Sequence, residues 1–235
     1  MYHSQGDGRK LLNLFENTCE GLKGESGSTS ININNENTRS FIQTKSFKFD
    51  KKGNQHYDII SALIKSIRGG DADASVYWLA RMLEGGEDLK FICRRLIISA
   101  SEDIGLANPN ALLIAEATAR SVEQVGMPES RILLSQCVIY LACSPKSNTA
   151  YKAINKATEI VKQTGDLEVP LHLRNPRTAY DKQLDYGKGY LYPHDFEGKN
   201  PIQDYMPKEL RNTEIIDFKA SSSEEKLKKQ SNKKV

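Results

Sequence analysis

Long apolar runs are missing from this chain of 235 residues. No stretch approaches the roughly 18 to 20 unbroken apolar residues that a membrane-crossing helix needs, which argues against a membrane protein of that kind. Residues 1–17 are polar where a secretory leader would carry an apolar segment, so a cytoplasmic location is expected. Cysteine is sparse: Cys19, Cys93, Cys137 and Cys143 show neither C-x-x-C spacing nor the density of a disulfide-stapled secreted domain, and they read as buried or spare surface thiols. His56, His172 and His194 have no cysteine or carboxylate at ligand spacing, so hydrogen bonding is their expected use and no metal site is expected. Internal repetition is missing as well. Tyr77-Trp78-Leu79-Ala80 and Ser101-Glu102-Asp103-Ile104-Gly105 occur once each, which disfavours a solenoid array.

The most consequential absence is a phosphate-binding loop. G-x-x-x-x-G-K-[ST] occurs nowhere: Gly187-Lys188 is followed by Gly189 and Gly198-Lys199 by Asn200, with no glycine five residues before either pair. An apolar strand ending in paired carboxylates, which would hold Mg²⁺, is also missing. This polypeptide alone is therefore expected not to hydrolyse ATP and to bind no cofactor. Positive charge is scarce over most of the chain. The net +3 conceals six lysines against Glu224 and Glu225 from Lys219 onward, leaving the preceding body at −1, which is not the broadly basic surface of a nucleic-acid-binding domain.

What is present is helix after helix. With 38% hydrophobic and 27% charged residues the chain can bury a real core in one large domain or two small ones. Leu11, Leu12, Leu14, Phe15 and Leu22 follow helical spacing after Gly6-Asp7-Gly8-Arg9. Residues 24–40 turn to Ser, Asn, Thr and Gly and read as a polar loop, and Phe41 to Phe49 allow short extended pieces. From residue 55 the punctuation is regular. Ile59, Ile60, Leu63, Ile64 and Ile67 form one apolar face ended by Gly69-Gly70; Asp71 caps a helix whose Val76, Leu79, Ala80 and Leu83 face inward until Gly85-Gly86. Asp88 opens a third helix, to about Ser101. Asn108-Pro109 opens a fourth, closed by Gly126, and Pro128 repeats the device. The helix to about Cys143 is nearly apolar all round and is expected at the centre of the core. A last long helix spans about 147–164. After Gly165 five prolines and five tyrosines replace any helical period, and rings lying on a surface already built would order that segment.

The expected fold is thus all-α: an antiparallel bundle of about six core helices at 55–218, with an irregular wrap at 166–218 and a basic tail or linker at 219–235. Four blocks sharpen this: HYDIISALIKSIRGGDADASVYWLARMLEGGEDL at 56–89, RRLIISASEDIGLANPNAL at 94–112, GMPESR at 126–131 and PKSN at 145–148. Together with VPLHLRN, YGKGYLYPHDF and YMPKEL further on, they closely resemble the C-terminal half of the replication-associated recombination protein A family of AAA+ ATPases, whose eukaryotic counterpart is Werner-helicase-interacting protein. The resemblance implies that residues 1–54 are a remnant of the AAA+ lid and that the helices beyond form an oligomerisation domain, with tetramers. It implies that the full-length protein is a DNA-dependent ATPase using ATP and Mg²⁺. That protein would act in replication-fork maintenance, recombination and repair, in company with DNA and single-strand-binding protein, and at the nucleoid. The competing reading is a free-standing α-helical protein-interaction adaptor.

On the same resemblance, Arg9 matches the sensor-2 arginine of the lid, which reaches the nucleotide's γ-phosphate once the ATPase module is attached. From the residues alone Arg9 is a surface arginine near a helix start. Lys65, Arg68, Arg94, Arg95 and Lys146 are candidates for contact with DNA phosphates, which require only clustered positive charge. The plainer account is a solvated face, because Asp71, Asp73, Glu84, Glu87, Asp88, Glu102 and Asp103 are near enough in sequence to pair with them. Ser101-Glu102-Asp103 is expected to hold a turn together rather than to catalyse, and Trp78 to serve close helix packing.

Overall fold

The computed structural model describes residues 54–196 and 201–231, together with Leu12, Phe15, Glu16, Cys19, residues 33–36 and Thr38. Among the described residues the protein is all-α, with no strand, and eight α-helices run from end to end. The extended pieces expected between Phe41 and Phe49 lie outside the described residues. Of the helix expected after Gly6-Asp7-Gly8-Arg9, Leu12, Phe15, Glu16 and Cys19 are described and are helical. Within the stretch expected as a polar loop, Asn35, Glu36 and Thr38 are helical too, the Thr38 amide donating to the Asn34 carbonyl oxygen at 3.0 Å.

Helix α1 (Asn54–Gly69) buries Ile59, Ile60, Leu63, Ile64 and Ile67, the apolar face expected from their spacing. It stops at Gly70, whose φ of +81° is the left-handed value a helix end favours, and the Asp71 amide returns to the Ser66 carbonyl oxygen at 3.0 Å. Asp71 then caps α2 (Ala72–Glu84), its Oδ1 accepting from the Ala74 amide at 2.9 Å. With Gly70-Asp71 as the whole connection, α1 and α2 pack directly on each other. The buried row of α2 is Ser75, Leu79 and Met82; Ala80, expected inside, is exposed, and Val76 and Leu83 are half-buried. The apolar band of α2 is broad enough to be centred either way. Packing selects the row with Ser75, which can be buried because its hydroxyl donates to the Asp71 carbonyl oxygen at 2.6 Å.

Helix α3 (Leu89–Ser99) opens on Asp88, which accepts from the Lys90 amide at 3.0 Å. It continues into a π-helical turn, Ala100–Ile104, and a 3₁₀ turn, Gly105–Ala107, where a plain helix to about Ser101 was expected. The wider turn brings the Asp103 carboxylate over Ser99, whose hydroxyl donates to it at 2.9 Å. Gly105 is obligatory at the junction. Its φ is +46°, and a Cβ there would stand 3.0 Å from the Ser147 carbonyl oxygen.

Three long helices follow: α4 (Asn110–Val125), α5 (Ser130–Cys143) and α6 (Thr149–Thr164). Asn108 holds the start of α4 through its main-chain carbonyl, which accepts from Ala111 at 3.0 Å, while its side chain donates to Ser144 Oγ at 3.1 Å. Helix α5 departs from expectation. Leu134, Cys137, Val138, Leu141 and Ala142 are buried, but Ile132 is 63% exposed and Ile139 44%, so one apolar side faces out. A helix apolar all round reads the same in sequence whether every side or only most of it is covered.

The described chain divides into two compact units, Met1–Arg95 with Thr118–Ala142, and Leu96–Ala117 with Cys143–Val235. The buried residues of the first are almost entirely apolar, including Leu63, Ile67, Leu79, Met82, Ile92, Leu134 and Leu141. Those of the second mix Leu96, Ile104, Ala111 and Ala115 with Ser99, Asp103, Ser144, Ser147, Thr149 and Glu224. Beyond Gly165 come 3₁₀ turns at Leu171–Leu173, Pro193–Asp195 and Lys208–Leu210 and a short helix, α7 (Ala179–Gln183), begun by a capping box between Thr178 and Asp181. Residues 219–231, expected as a solvated tail, instead carry α8 (Ser222–Gln230), with Glu224 fully buried.

Truncating the first unit's core should separate it from the exposed side of α5. Ile67→Ala or Leu134→Ala should cost about 2–5 kcal/mol in urea-unfolding titrations, and Ile132→Ala about 0.5 kcal/mol or less.

Candidate functional site

Two features of the second unit could support function: a buried polar cluster at the start of α6 and an uncovered apolar stripe along the same helix. The cluster is built from segments far apart in sequence. The Ser147 amide donates to the Asp103 carbonyl oxygen at 2.8 Å, tying the π-helical turn to the entry of α6. The Ser147 hydroxyl donates to Thr149 Oγ1 at 3.0 Å, and Thr149 Oγ1 donates to Glu224 Oε2 at 2.8 Å. The Lys219 amide donates to the same carboxylate oxygen at 2.7 Å. A carboxylate at the first turn of α6 meets the positive end of that helix's dipole. Burial alone would push the Glu224 carboxyl up. The Ser147 hydroxyl, the Lys219 amide, the Thr149 hydroxyl and the Lys219 charge outweigh it and hold the group below its ordinary value.

Helix α6 is otherwise bare. Thr149 is its one buried residue; Ala153, Ala157 and Ile160 are half-buried, and Tyr151 (48%), Ile154 (63%) and Val161 (62%) stand exposed. Those three fall at i, i+3 and i+10 on one side of the helix. The Thr158 hydroxyl between them is turned back to the Ile154 carbonyl oxygen at 2.8 Å, which leaves its methyl in the stripe. Aligned along one side of a 16-residue helix, these apolar side chains form a stripe that the described chain leaves uncovered.

The Pro/Tyr segment is held by polar links more than by ring burial. Tyr180 and Tyr192 are 66% and 52% exposed. Arg174 is the hub: Nε donates to the Val169 carbonyl oxygen at 2.6 Å, one NH₂ pairs with Glu168 at 3.1 Å, the other donates to the Tyr186 hydroxyl at 3.2 Å, and the guanidinium lies 5.2 Å from that ring's centre. His172 Nε2 lies 2.7 Å from the Asp204 carbonyl oxygen, a structural hydrogen bond as expected. Gln203 bridges the amide and carbonyl of Leu191 at 3.2 and 2.7 Å.

Arg9 lies outside the described residues. Lys65 and Arg68 are exposed, one turn apart on α1, and Arg94 and Arg95 are exposed on α3; all four belong to the first unit. Arg94 approaches Asp88 at 3.9 Å, the neutralising partner foreseen for it. Lys146 is in the second unit and is half-buried, its ammonium donating to the Ser144 carbonyl oxygen. Burial lowers its pKa, against the pull of Cys143 and Asp103. Among the described residues no three His, Cys, Asp or Glu side chains are grouped to hold a metal, and no helix is long and apolar enough to cross a membrane. Cys93 and Cys137 are buried and Cys143 is exposed; burial pushes the Cys137 thiol up to about 11 despite the Thr118 hydroxyl. Glu224 and Thr149 did not stand out in sequence. A signal for the former existed: Ser221-x-x-Glu224 has capping-box spacing, and the Ser221 hydroxyl does accept from the Glu224 amide at 3.2 Å.

Comparison with known proteins places this helical array. Residues 1–68 match the family described as AAA C-terminal domain, and residues 69–234 match MgsA AAA+ ATPase C terminal. The replication-associated recombination protein A of Coxiella burnetii is 45% identical over 209 residues, covering 88% of this chain and 47% of its own. That of Bacillus subtilis is 40% identical over 225 residues, 96% of this chain and 53% of its own. ATPase WRNIP1 of Dictyostelium discoideum is 36% identical over 243 aligned residues, 97% of this chain and 28% of its own. The region is therefore the C-terminal part of an AAA+ ATPase. Within that class, the chain belongs to the family that contains replication-associated recombination protein A and WRNIP1. It spans about half or less of the length of these relatives.

The buried carboxylate predicts a pH dependence. A depressed folded pKa contributes stability that is present above the unfolded carboxyl's value and is lost as pH falls through the folded value. Between about pH 5 and about pH 3 the melting temperature of the wild type should fall further than that of Glu224→Gln. Parallel declines would show that Glu224 adds no ionisation-linked stability.

Proposed function

We propose that this region holds together the subunits of a DNA-dependent AAA+ ATPase that acts in replication-fork maintenance, recombination and DNA repair. On this reading the region itself does not turn over nucleotide. ATP and Mg²⁺ are bound by the ATPase module of the whole protein, to which Arg9 contributes a sensor-2 guanidinium from residues 1–54. The helices from residue 55 on form the oligomerisation domain, with a tetramer as the assembly. DNA and single-strand-binding protein are partners of the whole protein, at the nucleoid in the cytoplasm.

The observation that carries the reading is the stripe on α6, on a helix that buries one residue of its 16. Tyr151, Ile154 and Val161 expose apolar area to water, and covering it with the same stripe of a second copy would make a two-fold contact. The resemblance of these helices to a subunit-assembling C-terminal region supports a second copy as the occupant. Exposed Lys65, Arg68, Arg94 and Arg95 support a weaker role in DNA contact.

Sedimentation velocity of the chain at micromolar concentration should reveal a species larger than the monomer, and Ile154→Glu with Val161→Glu should weaken association at least about tenfold, since a buried charge without a partner costs several kcal/mol. A wild type that sediments only as monomer would turn the stripe over to a different protein, the adaptor reading. For DNA, binding to a single-stranded oligonucleotide should weaken as salt rises and fall again in Arg94→Ala with Arg95→Ala; binding indifferent to salt would remove phosphate contact from the proposal.

A further inference from the structure

Helix α8 is unlike the other long helices in what holds it. It has nine residues, Ser-Ser-Glu-Glu-Lys-Leu-Lys-Lys-Gln, and nine residues do not make a stable helix in water unaided. Its one apolar side chain, Leu227, is 36% exposed, so a single, partly covered leucine is all the apolar burial the helix itself supplies. One side chain is fully buried, and it is the carboxylate of Glu224. That carboxylate joins α8 to two other places: the first turn of α6 through Thr149 Oγ1 at 2.8 Å, and the approach to α8 through the Lys219 amide at 2.7 Å. The helix rests on the 3₁₀ turn Gly105–Ala107.

We propose that α8 is a releasable clasp, which folds and docks in one step when the ionised carboxylate of Glu224 seats on the first turn of α6 and unfolds when that carboxylate leaves. The logic is that of a coupled equilibrium. The helix cannot persist undocked because it is too short, and it cannot dock unfolded because Ser221 and the first turn must be wound to aim Glu224 inward. One buried polar anchor beside one partly covered leucine makes the step reversible, where a full apolar face would hold the helix down. Opening uncovers Ser147, Thr149 and the Gly105–Ala107 turn, the polar cluster that sets the start of α6. The clasp does not depend on the assembly reading, because every residue in it belongs to one copy of the chain.

Hydrogen exchange read by mass spectrometry on the full chain tests it. In the wild type, the amides of 223–230 should exchange at least about tenfold faster than those in the middle of α1, through an opening that leaves α1 protected. In Glu224→Gln, protection of 223–230 should fall by at least a further tenfold, with 149–152 loosened alongside. Glu225→Gln, the same chemical change one residue along on an exposed position, should match the wild type. Two results would overturn the clasp: wild-type protection of α8 that persists in Glu224→Gln, or α8 amides in the wild type that exchange only together with those of α1.

Discussion

Apolar surface in excess of what the described helices cover is the constraint on which the rest depends. Helices α1 and α2 each turn one apolar face inward and present polar residues to water, as self-sufficient amphipathic helices do. Helices α5 and α6 are different. Ile132 and Ile139 on the one, and Tyr151, Ile154 and Val161 on the other, are exposed on sides that the local packing does not use. Each such side chain is about half exposed and so forgoes roughly 1 kcal/mol that full burial would add. These rows are the surface on which the proposed subunit contact rests.

The second unit solves the opposite problem. Its buried set includes Ser99, Asp103, Ser147, Thr149 and Glu224, groups that are costly to bury unless each is paired. Most of the pairing is done by strict geometry: a π-helical turn to aim Asp103, a glycine at 105 to admit the Ser147 carbonyl oxygen, and Oε2 of a carboxylate from 75 residues downstream to satisfy Thr149, while Oε1 of that carboxylate is buried without a partner. Such a network fixes position more than it adds stability. It sets where α6 begins, and so where the exposed stripe on that helix is presented.

The irregular segment follows the same principle by other means. Arg174 and Gln203 each make several bonds to main-chain or hydroxyl groups, and together they organise a stretch with little regular hydrogen bonding of its own. Of the tyrosines, expected to order this segment through their rings, Tyr186 and Tyr205 contribute through hydroxyls that accept from Arg174 and Gln203, and Tyr186 also as a platform for a cation.

Helix starts and stops were legible because they are local. Asp71, Gly70, Gly86 and Gly126 act within one turn of their own position, through a cap or a positive φ, and neighbouring residues suffice to announce them. The family was legible for a related reason: four consecutive blocks of polar-studded helix preserve a pattern even where no single residue is diagnostic. The choice of row on α2, the exposed side of α5 and the burial of Glu224 were settled by tertiary packing alone. Each depends on which distant surface arrives, and a carboxylate in a lysine-rich tail looks solvated until the first turn of another helix, 75 residues earlier, offers it the Thr149 hydroxyl and a dipole.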